Sequence, residues 1–433
     1  MIAGCMKILL DTFYLAALIA ISPKIVYRMM RQDRYRAGWR QRLGKIERLT
    51  EKKCIWIHAV SVGEVNATRL LVDGLAQIDD DYEIVISATT DTGYQRAKAI
   101  YKDKLKVFYF PLDISPVMRK AFDNIKPDIC ISMELEVWPN LTIIANERNI
   151  PVVVVNGRLS DRSFPRYKLI KPLTRWMFSR VSLFLAQTQE YADRFKYLGC
   201  PEEKVIVTNS LKYDTAEIAD NVEGADIVAE KINLGNERLL VIGGTGPGEE
   251  KMALDIYKKL KLQEKFNDLR IAIVPRKPER FDEVASLIES SGFSSVRYSQ
   301  VKQNDASDED KPQVILGDTM GDLKKFYSLA SLVFVGRTLT PMGGSDMMES
   351  AALGKCTIFG PYTFNFKQTV KALLDGDGAI EVKDAGELRE TIKKCLTDSE
   401  YAKSISDNGR EVIRQNQGAT QKTVDAIAKL LGS

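Results

Sequence analysis

Two short segments of the chain place glutamates where a carboxylate could take a proton from a substrate hydroxyl. In Ile55–Glu64 (IWIHAVSVGE), an apolar run of β-strand type leads through a turn of small residues to Glu64. Ser61 and Gly63 suit a tight turn, and glycine permits close approach of the backbone. Glu64 would begin the following helix, so we interpret it either as a general base or as a residue that only complements the helix dipole.

The second segment, Met133–Asn140 (MELEVWPN), places Glu134, Glu136 and Trp138 directly after an apolar run. Two carboxylates so close together are costly to bury, so they indicate a polar cleft, unless the turn is simply packed by the tryptophan. Arg158 follows another apolar run, where it could bind a carboxylate or a ligand phosphate, or form a structural ion pair.

The remaining residue types narrow the chemistry. His58 is the only histidine among 433 residues, so a site with several histidine ligands is excluded and carboxylates are the main candidates for a base at neutral pH. The six cysteines are scattered without a Cys-x-x-Cys pair, which is typical of buried thiols in a reducing compartment. The sequence has neither a zinc signature nor a Ser-His-Asp arrangement, and we predict no metal site.

Glycine-rich turns in the second half of the chain suit an anion. Gly243–Glu250 (GGTGPGEE) follows a strand-like run and opens a helix, where free N–H groups bind phosphate, although such a turn is as often structural. Pro341–Glu349 (PMGGSDMME) has a double glycine and a glutamate one turn into a helix, which suits a nucleotide phosphate and ribose. The candidate binding residues of this half are Gly244, Thr245, Arg276, Gly343, Gly344, Ser345 and Glu349.

The elements that must position these residues alternate between strands and helices, which predicts an α/β fold of doubly wound parallel sheets. The strands predicted in the first half are Cys54–His58, Glu83–Ala88, Lys106–Phe110, Asp128–Met133, Val152–Asn156, Leu183–Ala186 and Val205–Val207. Those predicted in the second half are Arg238–Ile242, Arg270–Val274, Ser295–Tyr298, Val314–Leu316, Leu332–Val335 and Cys356–Phe359. Ligands bind beyond the carboxyl ends of such strands, so the candidate residues should line a cleft between two facing domains.

A chain of 433 residues is too long for one ordinary core, so we expect two main domains. We predict an anchor helix with a basic segment at 1–50, a first Rossmann-like domain at 51–213 and a linker at 214–236. A second Rossmann-like domain follows at 237–415, and a last helix at 416–433 could pack back on the first domain.

The N-terminal segment combines an apolar stretch with a dense basic one. Residues 12–23 are uncharged but shorter than the roughly 20 residues that span a bilayer. This pattern favours a membrane anchor on an anionic cytoplasmic leaflet over a buried first helix with a solvated basic face. The arginines predicted to bind the membrane are Arg28, Arg31, Arg34, Arg36 and Arg40.

Seven motifs together resemble one known family, the Kdo transferases, which transfer 3-deoxy-D-manno-octulosonic acid (Kdo) from CMP-Kdo to a lipid A precursor. HAVSVGE, MELEVWPN, NGRLS, GPGEE, PRKPERF, GDTMGDL and GPYTFNF occur in the order and spacing of that family, from the N-terminal anchor to about Ala372. The resemblance implies a GT-B fold, with two Rossmann-like domains facing a central cleft. It places acceptor binding in the first domain and CMP-sugar binding in the second.

The resemblance also implies a function: metal-independent, inverting transfer of Kdo from CMP-Kdo to lipid IVA in lipopolysaccharide core biosynthesis. Glu64 matches the general base and Glu136 a second essential carboxylate, while Lys212 and Arg276 match donor contacts. The N-terminal arginines, Arg40 among them, would meet acceptor phosphates and anionic lipids. The implied setting is the cytoplasmic face of the bacterial inner membrane. We expect no cofactor, since CMP-Kdo is a substrate, and no nucleic-acid partner.

The donor side departs from the family pattern, because its three histidine positions lack histidine. The family's GGHNPLE reads GGSDMME here, and its other two histidines correspond to Gly246 and Lys277. We infer a divergent branch with the same reaction, or a transferase of a related CMP-activated sugar acid. Two other classes remain as alternatives: a nucleotide-sugar 2-epimerase on the same scaffold, and a catalytically degenerate member that acts as a binding protein.

Overall fold

The computed structural model describes residues 37–47, 52–102, 104–303 and 311–432, together with single positions between 11 and 31. Contacts within the chain divide it into two compact units. The first unit comprises the described residues up to Thr215 together with those from Gln417 onward, and the second comprises Ala216–Asn416.

The first unit is built on a parallel sheet in the order β3-β2-β1-β4-β5-β6-β7. Its strands are β1 Lys53–Ala59, β2 Tyr82–Ala88, β3 Lys106–Tyr109, β4 Ile129–Met133, β5 Val152–Gly157, β6 Leu183–Ala186 and β7 Val205–Val207. Its helices are α1 Trp39–Arg42, α2 Val62–Leu75, α3 Asp91–Tyr101, α4 Ser115–Ile125, α5 Pro139–Glu147, α6 Phe164–Leu169, α7 Lys171–Phe178, α8 Gln189–Tyr197 and α9 Leu211–Asp214.

Alternate residues of β1 show how helices cover both faces of this sheet. Ile55 and Ile57 belong to a core cluster with apolar residues of α2 and α3, whereas Cys54 and Trp56 belong to another with residues of α4 and α5. This period of two follows from strand geometry, and it explains why the strands read as continuous apolar runs.

The second unit repeats the plan with a parallel sheet in the order β10-β11-β9-β8-β12-β13-β14. Its strands are β8 Arg238–Thr245, β9 Leu269–Pro275, β10 Ser295–Arg297, β11 Val314–Leu316, β12 Leu332–Val335, β13 Thr357–Phe359 and β14 Ile380–Glu381. Its helices are α10 Ala225–Lys231, α11 Glu249–Lys261, α12 Phe281–Ser290, α13 Tyr298–Val301, α14 Leu323–Leu329, α15 Met348–Ala352, α16 Lys367–Asp375, α17 Ala385–Thr397 and α18 Ser399–Asn416.

The last helix, α19 (Ala419–Leu431), returns to the first unit. Val424 and Ile427 are buried in the same core cluster as Leu75 of α2. A Cβ on Gly74 would come within 2.8 Å of the Val424 side chain, so a glycine in α2 allows the two helices to approach closely. The two parallel sheets, each covered by helices, confirm the predicted α/β class.

Five of the twelve residues of the predicted anchor at 12–23 lie outside the described residues. Within the described part of the chain, no helix is long and apolar enough to cross a bilayer. Two of the arginines predicted to bind membrane, Arg31 and Arg40, are exposed. The other three are not among the described positions: Arg28, Arg34 and Arg36.

Candidate active site

The first candidate site lies at the carboxyl edge of the first sheet, where β1 and β4 are neighbours. β2 and β3 extend from β1 to one side, and β5, β6 and β7 extend from β4 to the other, so the order reverses between β1 and β4. Open α/β sheets bind ligands in the crevice at such a reversal. Glu64 follows β1, and Glu134 and Glu136 follow β4, so the fold brings the predicted carboxylates within electrostatic range of one another.

The Glu64 carboxylate is held at the first turn of α2. Its Oε2 accepts the Val60 N–H (2.9 Å), and its Oε1 accepts the Ser61 hydroxyl (2.8 Å). Burial raises the pKa of Glu64, and these two donors oppose the rise because they favour the ionised form. The nearby charge of Glu134 raises the pKa further. Gly63 is exposed, and a Cβ there would make only an ordinary contact, 4.0 Å from the Ser61 hydroxyl oxygen.

Glu136 belongs to a turn with an unusual backbone. Glu134, at the start of that turn, has φ of 55°, in the left-handed region that non-glycine residues rarely adopt, and its N–H donates to Val155 of β5 (2.8 Å). Burial and then the charge of Glu64 raise the pKa of Glu136 from 4.5 to about 7. Glu136 can therefore exchange a proton near neutral pH.

Two aromatic residues border Glu136. The Trp138 indole N–H is buried and forms no hydrogen bond within ordinary distance in the described structure, but it lies close enough to Glu136 to lower that carboxyl's pKa. Burial raises the pKa of the Tyr167 hydroxyl, and the charge of Glu136 raises it further. Tyr167 was not predicted from sequence, because it follows Glu136 by a whole strand and lies on α6.

His58, the single histidine, is part of the core. Its ring stacks on Phe110 with centroids 3.8 Å apart, and its Nδ1 lies 3.0 Å from the Ser87 hydroxyl oxygen. Burial lowers the pKa of His58 to about 3, so the ring is neutral at physiological pH. Among the described residues, no group of three or more His, Cys, Asp or Glu side chains is arranged to hold a metal ion.

A buried aspartate stabilises the start of α5, just beyond Trp138. The Asp113 carboxylate accepts the N–H groups of Asn140 (2.9 Å) and Leu141 (2.8 Å). Burial raises the pKa of Asp113 to about 6 against these donors. The Asn140 side chain also donates to Asp11 (3.1 Å), so a described position of the N-terminal segment contacts this edge of the sheet.

Two other predicted residues of the first unit lie after β5 and β7. Arg158 is half-buried, and its Nε is buried without a hydrogen bond in the described structure. Lys212 is exposed in α9, where its N–H donates to the Ser210 hydroxyl at 3.4 Å. Lys212 thus belongs to a different unit from the other residues predicted to bind the donor.

The glycine-rich loops of the second unit lie at the carboxyl edge of its sheet, where β8 and β12 are neighbours and the order again reverses. The Glu249 carboxylate joins these loops. It accepts the N–H groups of Gly246 (3.0 Å), Arg337 (2.5 Å), Thr338 (2.9 Å) and Leu339 (3.0 Å). Glu249 belongs to the GPGEE motif, and its carboxylate holds the loops after β8 and β12 together.

The side chains of Thr245 and Ser345 are engaged inside these loops. The Thr245 hydroxyl donates to Glu250 (2.7 Å), and Arg280 forms an ion pair with the same buried carboxylate. The Ser345 hydroxyl donates to the Gly244 carbonyl (2.7 Å). These hydroxyls stabilise the loop arrangement.

The double glycine adopts a backbone conformation that favours glycine, but the helix after it begins later than we predicted. Gly343 and Gly344 have φ of 88° and 89°, and a Cβ on Gly343 would come within 2.2 Å of the Asn365 side chain. Helix α15 begins only at Met348, whose N–H is bound by Asp346 (2.9 Å). A carboxylate thus occupies the helix start where we expected a phosphate.

Charged side chains meet beside these glycines. Burial and the charge of Asp346 raise the pKa of Glu349, whereas Lys324 and Arg276 lower it. The Tyr327 hydroxyl is fully buried and makes no hydrogen bond in the described structure. Burial raises its pKa, and the same two carboxylates raise it further. Tyr327 and Lys324 were not predicted from sequence because neither lies in a glycine-rich motif.

Comparison with solved structures defines the class of this architecture. A crystal structure of a glycosyltransferase from Rickettsia africae matches with a TM-score of 0.56, over 88% of this chain and 99% of that one, at 14% identity. At this identity the likeness concerns the fold alone. Together with the two parallel sheets, it defines a GT-B fold, as predicted.

Sequence comparison gives the family. The family described as 3-deoxy-D-manno-octulosonic-acid transferase (kdotransferase) matches residues 37–215. The 3-deoxy-D-manno-octulosonic acid transferase of Haemophilus influenzae is 33% identical over 429 residues, which cover 97% of this chain and 98% of that protein. The chain belongs to the Kdo transferase family of glycosyltransferases.

A second relative is a longer protein. The bifunctional glycosyltransferase/methyltransferase of Fusobacterium nucleatum is 34% identical over 392 residues. The match covers 89% of this chain but only 60% of that protein.

Proposed function

We propose that the protein transfers Kdo from CMP-Kdo to a hydroxyl of a lipid A precursor, lipid IVA, with inversion and without a metal ion. Family membership supports the reaction class. The observation that carries the mechanism is the meeting of Glu64 and Glu136 at the order reversal of the first sheet. Both carboxyls have raised pKa values, and protein groups fix the position of the first.

Glu64 is the general base of this mechanism. The acceptor oxygen attacks the anomeric carbon of Kdo, and its proton passes to the Glu64 carboxylate. The bond to the CMP phosphate breaks, and its electron pair leaves with CMP. A raised pKa makes Glu64 a stronger base than an ordinary glutamate, and a positioned base of this kind contributes about 10²–10⁴ in rate.

Glu136 controls the charge around that base. At neutral pH it is divided between its two forms because its pKa is about 7. When it is ionised, its charge favours proton uptake by Glu64, and when it is protonated it can donate to a sugar oxygen. Tyr167 and Trp138 border it and limit the access of water to this carboxyl.

The second unit binds the CMP moiety in this proposal. Exposed Arg276 follows β9 and would attract the phosphate. Asp346 opposes a phosphate at the start of α15, so we place the phosphate nearer Arg276.

The transfer assay measures CMP release from CMP-Kdo with lipid IVA as acceptor. Glu64→Gln should lower kcat about 100-fold or more, because the amide cannot accept the proton. Binding of CMP-Kdo, measured by calorimetry, should stay within about twofold. Glu203→Gln changes an exposed glutamate of the same unit and serves as the matched control. Near-normal turnover by Glu64→Gln would refute the base, and absence of CMP release by the parent protein would refute the reaction.

A further inference from the structure

Helices α6 and α7 expose an apolar surface that the proposed chemistry does not use. Leu169 is 85% exposed, Ile170 48% and Leu173 36%. Single exposed apolar residues are normal, but three within five positions form a patch, and such patches mark interaction sites. We call this patch and the cations around it the α6–α7 surface.

Cations surround the patch, and the two acids that flank this segment, Asp161 and Glu190, both pair with Arg194. Residues 162–189 contain six Lys or Arg and no Asp or Glu. The Lys171 Nζ lies 3.9 Å from the centre of the Tyr197 ring, and that half-exposed ring extends the surface. In the described structure, no ion pair engages the cations at the rim, which are Arg162, Arg166, Lys168, Lys171 and Arg175.

The same helix connects this surface to the carboxylates. Tyr167 lies close enough to Glu136 for that charge to act on its hydroxyl, and Leu169 is two residues further along α6. A partner that binds Leu169 is therefore held beside the carboxyl edge of the first sheet.

We infer that the α6–α7 surface docks on an anionic lipid bilayer, with Leu169, Ile170 and Leu173 in the interface and the cations on lipid phosphates. Charge complementarity selects this partner, because apolar side chains ringed by unpaired Lys and Arg are typical of interfacial membrane binding. Long basic side chains can keep their charges at the headgroups while their stems cover apolar surface. Only the purpose of this docking, delivery of a lipid-linked acceptor, rests on the proposed function.

Vesicle binding by the full chain tests the surface apart from catalysis. Leu169→Ser with Ile170→Ser, and separately Lys168→Glu with Lys171→Glu, should each weaken binding to vesicles of phosphatidylcholine with 30% phosphatidylglycerol about tenfold. The matched controls are Leu262→Ser, at an 83% exposed leucine of the second unit, and Lys258→Glu with Lys259→Glu. Equal binding by the patch variants and the controls would overturn the inference.

A local probe separates this surface from the N-terminal segment. Leu169→Cys carries an environment-sensitive fluorophore in a Cys5→Ser background, since the other five cysteines are buried, and Leu262→Cys is the control position. Emission at position 169 should shift to the blue on these vesicles and not on pure phosphatidylcholine. An unchanged emission at 169, or a shift with protein concentration alone, would refute lipid docking, the latter in favour of a second copy. CMP release with soluble acceptor stays a separate readout, so failure here leaves the proposed function standing.

Discussion

Glu64 and Glu136 have different environments although they share one edge of the sheet. Glu64 accepts hydrogen bonds from Val60 and Ser61, whereas among the described residues only the more distant Trp138 indole favours the ionised form of Glu136. Carboxyls that interact do not ionise together, so we expect Glu64 to lose its proton first and to raise the pKa of its neighbour. In this order of ionisation, Glu64 is the base and Glu136 is the group that carries a proton near neutral pH.

Removal of one hydrogen-bond donor should leave Glu64 protonated, and so unable to act as a base, up to a higher pH. Ser61→Ala takes away the hydroxyl that lowers the pKa of Glu64, so that pKa rises and the acidic limb of kcat/KM shifts upward by about one pH unit. Activity should therefore fall more at pH 6 than at pH 8. Ser61→Thr keeps a hydroxyl and should restore the parent profile. The helix start should survive, because the Ser61 side chain accepts no helix N–H. An unshifted limb would contradict the role of this donor.

Glu136 should make stability depend on pH. Its pKa is raised from 4.5 to about 7 in the folded protein, so its contribution is fully present below pH 4.5 and is lost as pH rises through 7. Glu136→Gln should match the parent near pH 4 and exceed it at pH 8 by about 1–2 kcal/mol in unfolding free energy, after allowance for solvent screening. Urea unfolding at the two pH values measures this. Glu203→Gln changes an exposed glutamate and should show no such pH-dependent difference in unfolding free energy from the parent.

Sequence alone could identify Glu64 and Glu136 because each lies within five residues of the end of an apolar strand. It could not identify Tyr167, whose proximity to Glu136 depends on the return of the chain through β5 and α6. The absence of acidic residues over 162–189 is visible in the sequence, but it indicates a basic surface and does not indicate that Tyr167 lies near Glu136. Whether the predicted site residues bind substrates stays a prediction.

Among the elements, the loops after β8 and β12 depend on one glutamate. Glu249 accepts four backbone N–H groups, which would otherwise be left unsatisfied in a buried position. Glu249→Gln replaces one acceptor oxygen with a donor amide that faces two of these N–H groups. We expect a loss of about 2–4 kcal/mol in the stability of the second unit. Hydrogen exchange should show faster exchange at Gly246 and Thr338.

A neighbouring glutamate provides the comparison for that loss. Glu279→Gln changes an exposed glutamate of the same unit and should leave exchange unchanged. If Glu249→Gln kept parent stability, the loop amides would have to be satisfied by other groups.

Most strands could be predicted from the sequence because both faces of each parallel sheet are buried, which makes the strands continuous apolar runs. Val152–Val155 of β5, for example, is a run of four valines with every residue covered. β14 was missed because Ile380–Glu381 is too short to show a pattern. The start of α15 was misplaced because Asp346 caps Met348, and local hydrogen bonding of an aspartate is hard to distinguish from a continuous helix.

At the scale of the whole molecule, the chain forms two compact units and crosses between them twice. The first crossing follows Thr215, and the second returns α19 to the first unit after Asn416. Asp214 secures the return, because it accepts the N–H groups of Gly418 (2.8 Å) and Thr420. The C-terminal residues therefore contribute to the fold of the unit that carries Glu64.

This connection predicts that a change near the C-terminus destabilises the first unit selectively. Ile427 is fully buried with residues of α2, so Ile427→Ala should cost about 2–5 kcal/mol from lost burial and the cavity left behind. Hydrogen exchange should then accelerate in β1 and α2 and stay unchanged in β8 and β9. Ile413→Ala, at an equally buried position of α18, is the reciprocal control and should accelerate exchange in the second unit only. Equal acceleration of both sheets by either variant would mean that the two units unfold together, because the free energy lost at one residue would then appear in the exchange of amides in both units.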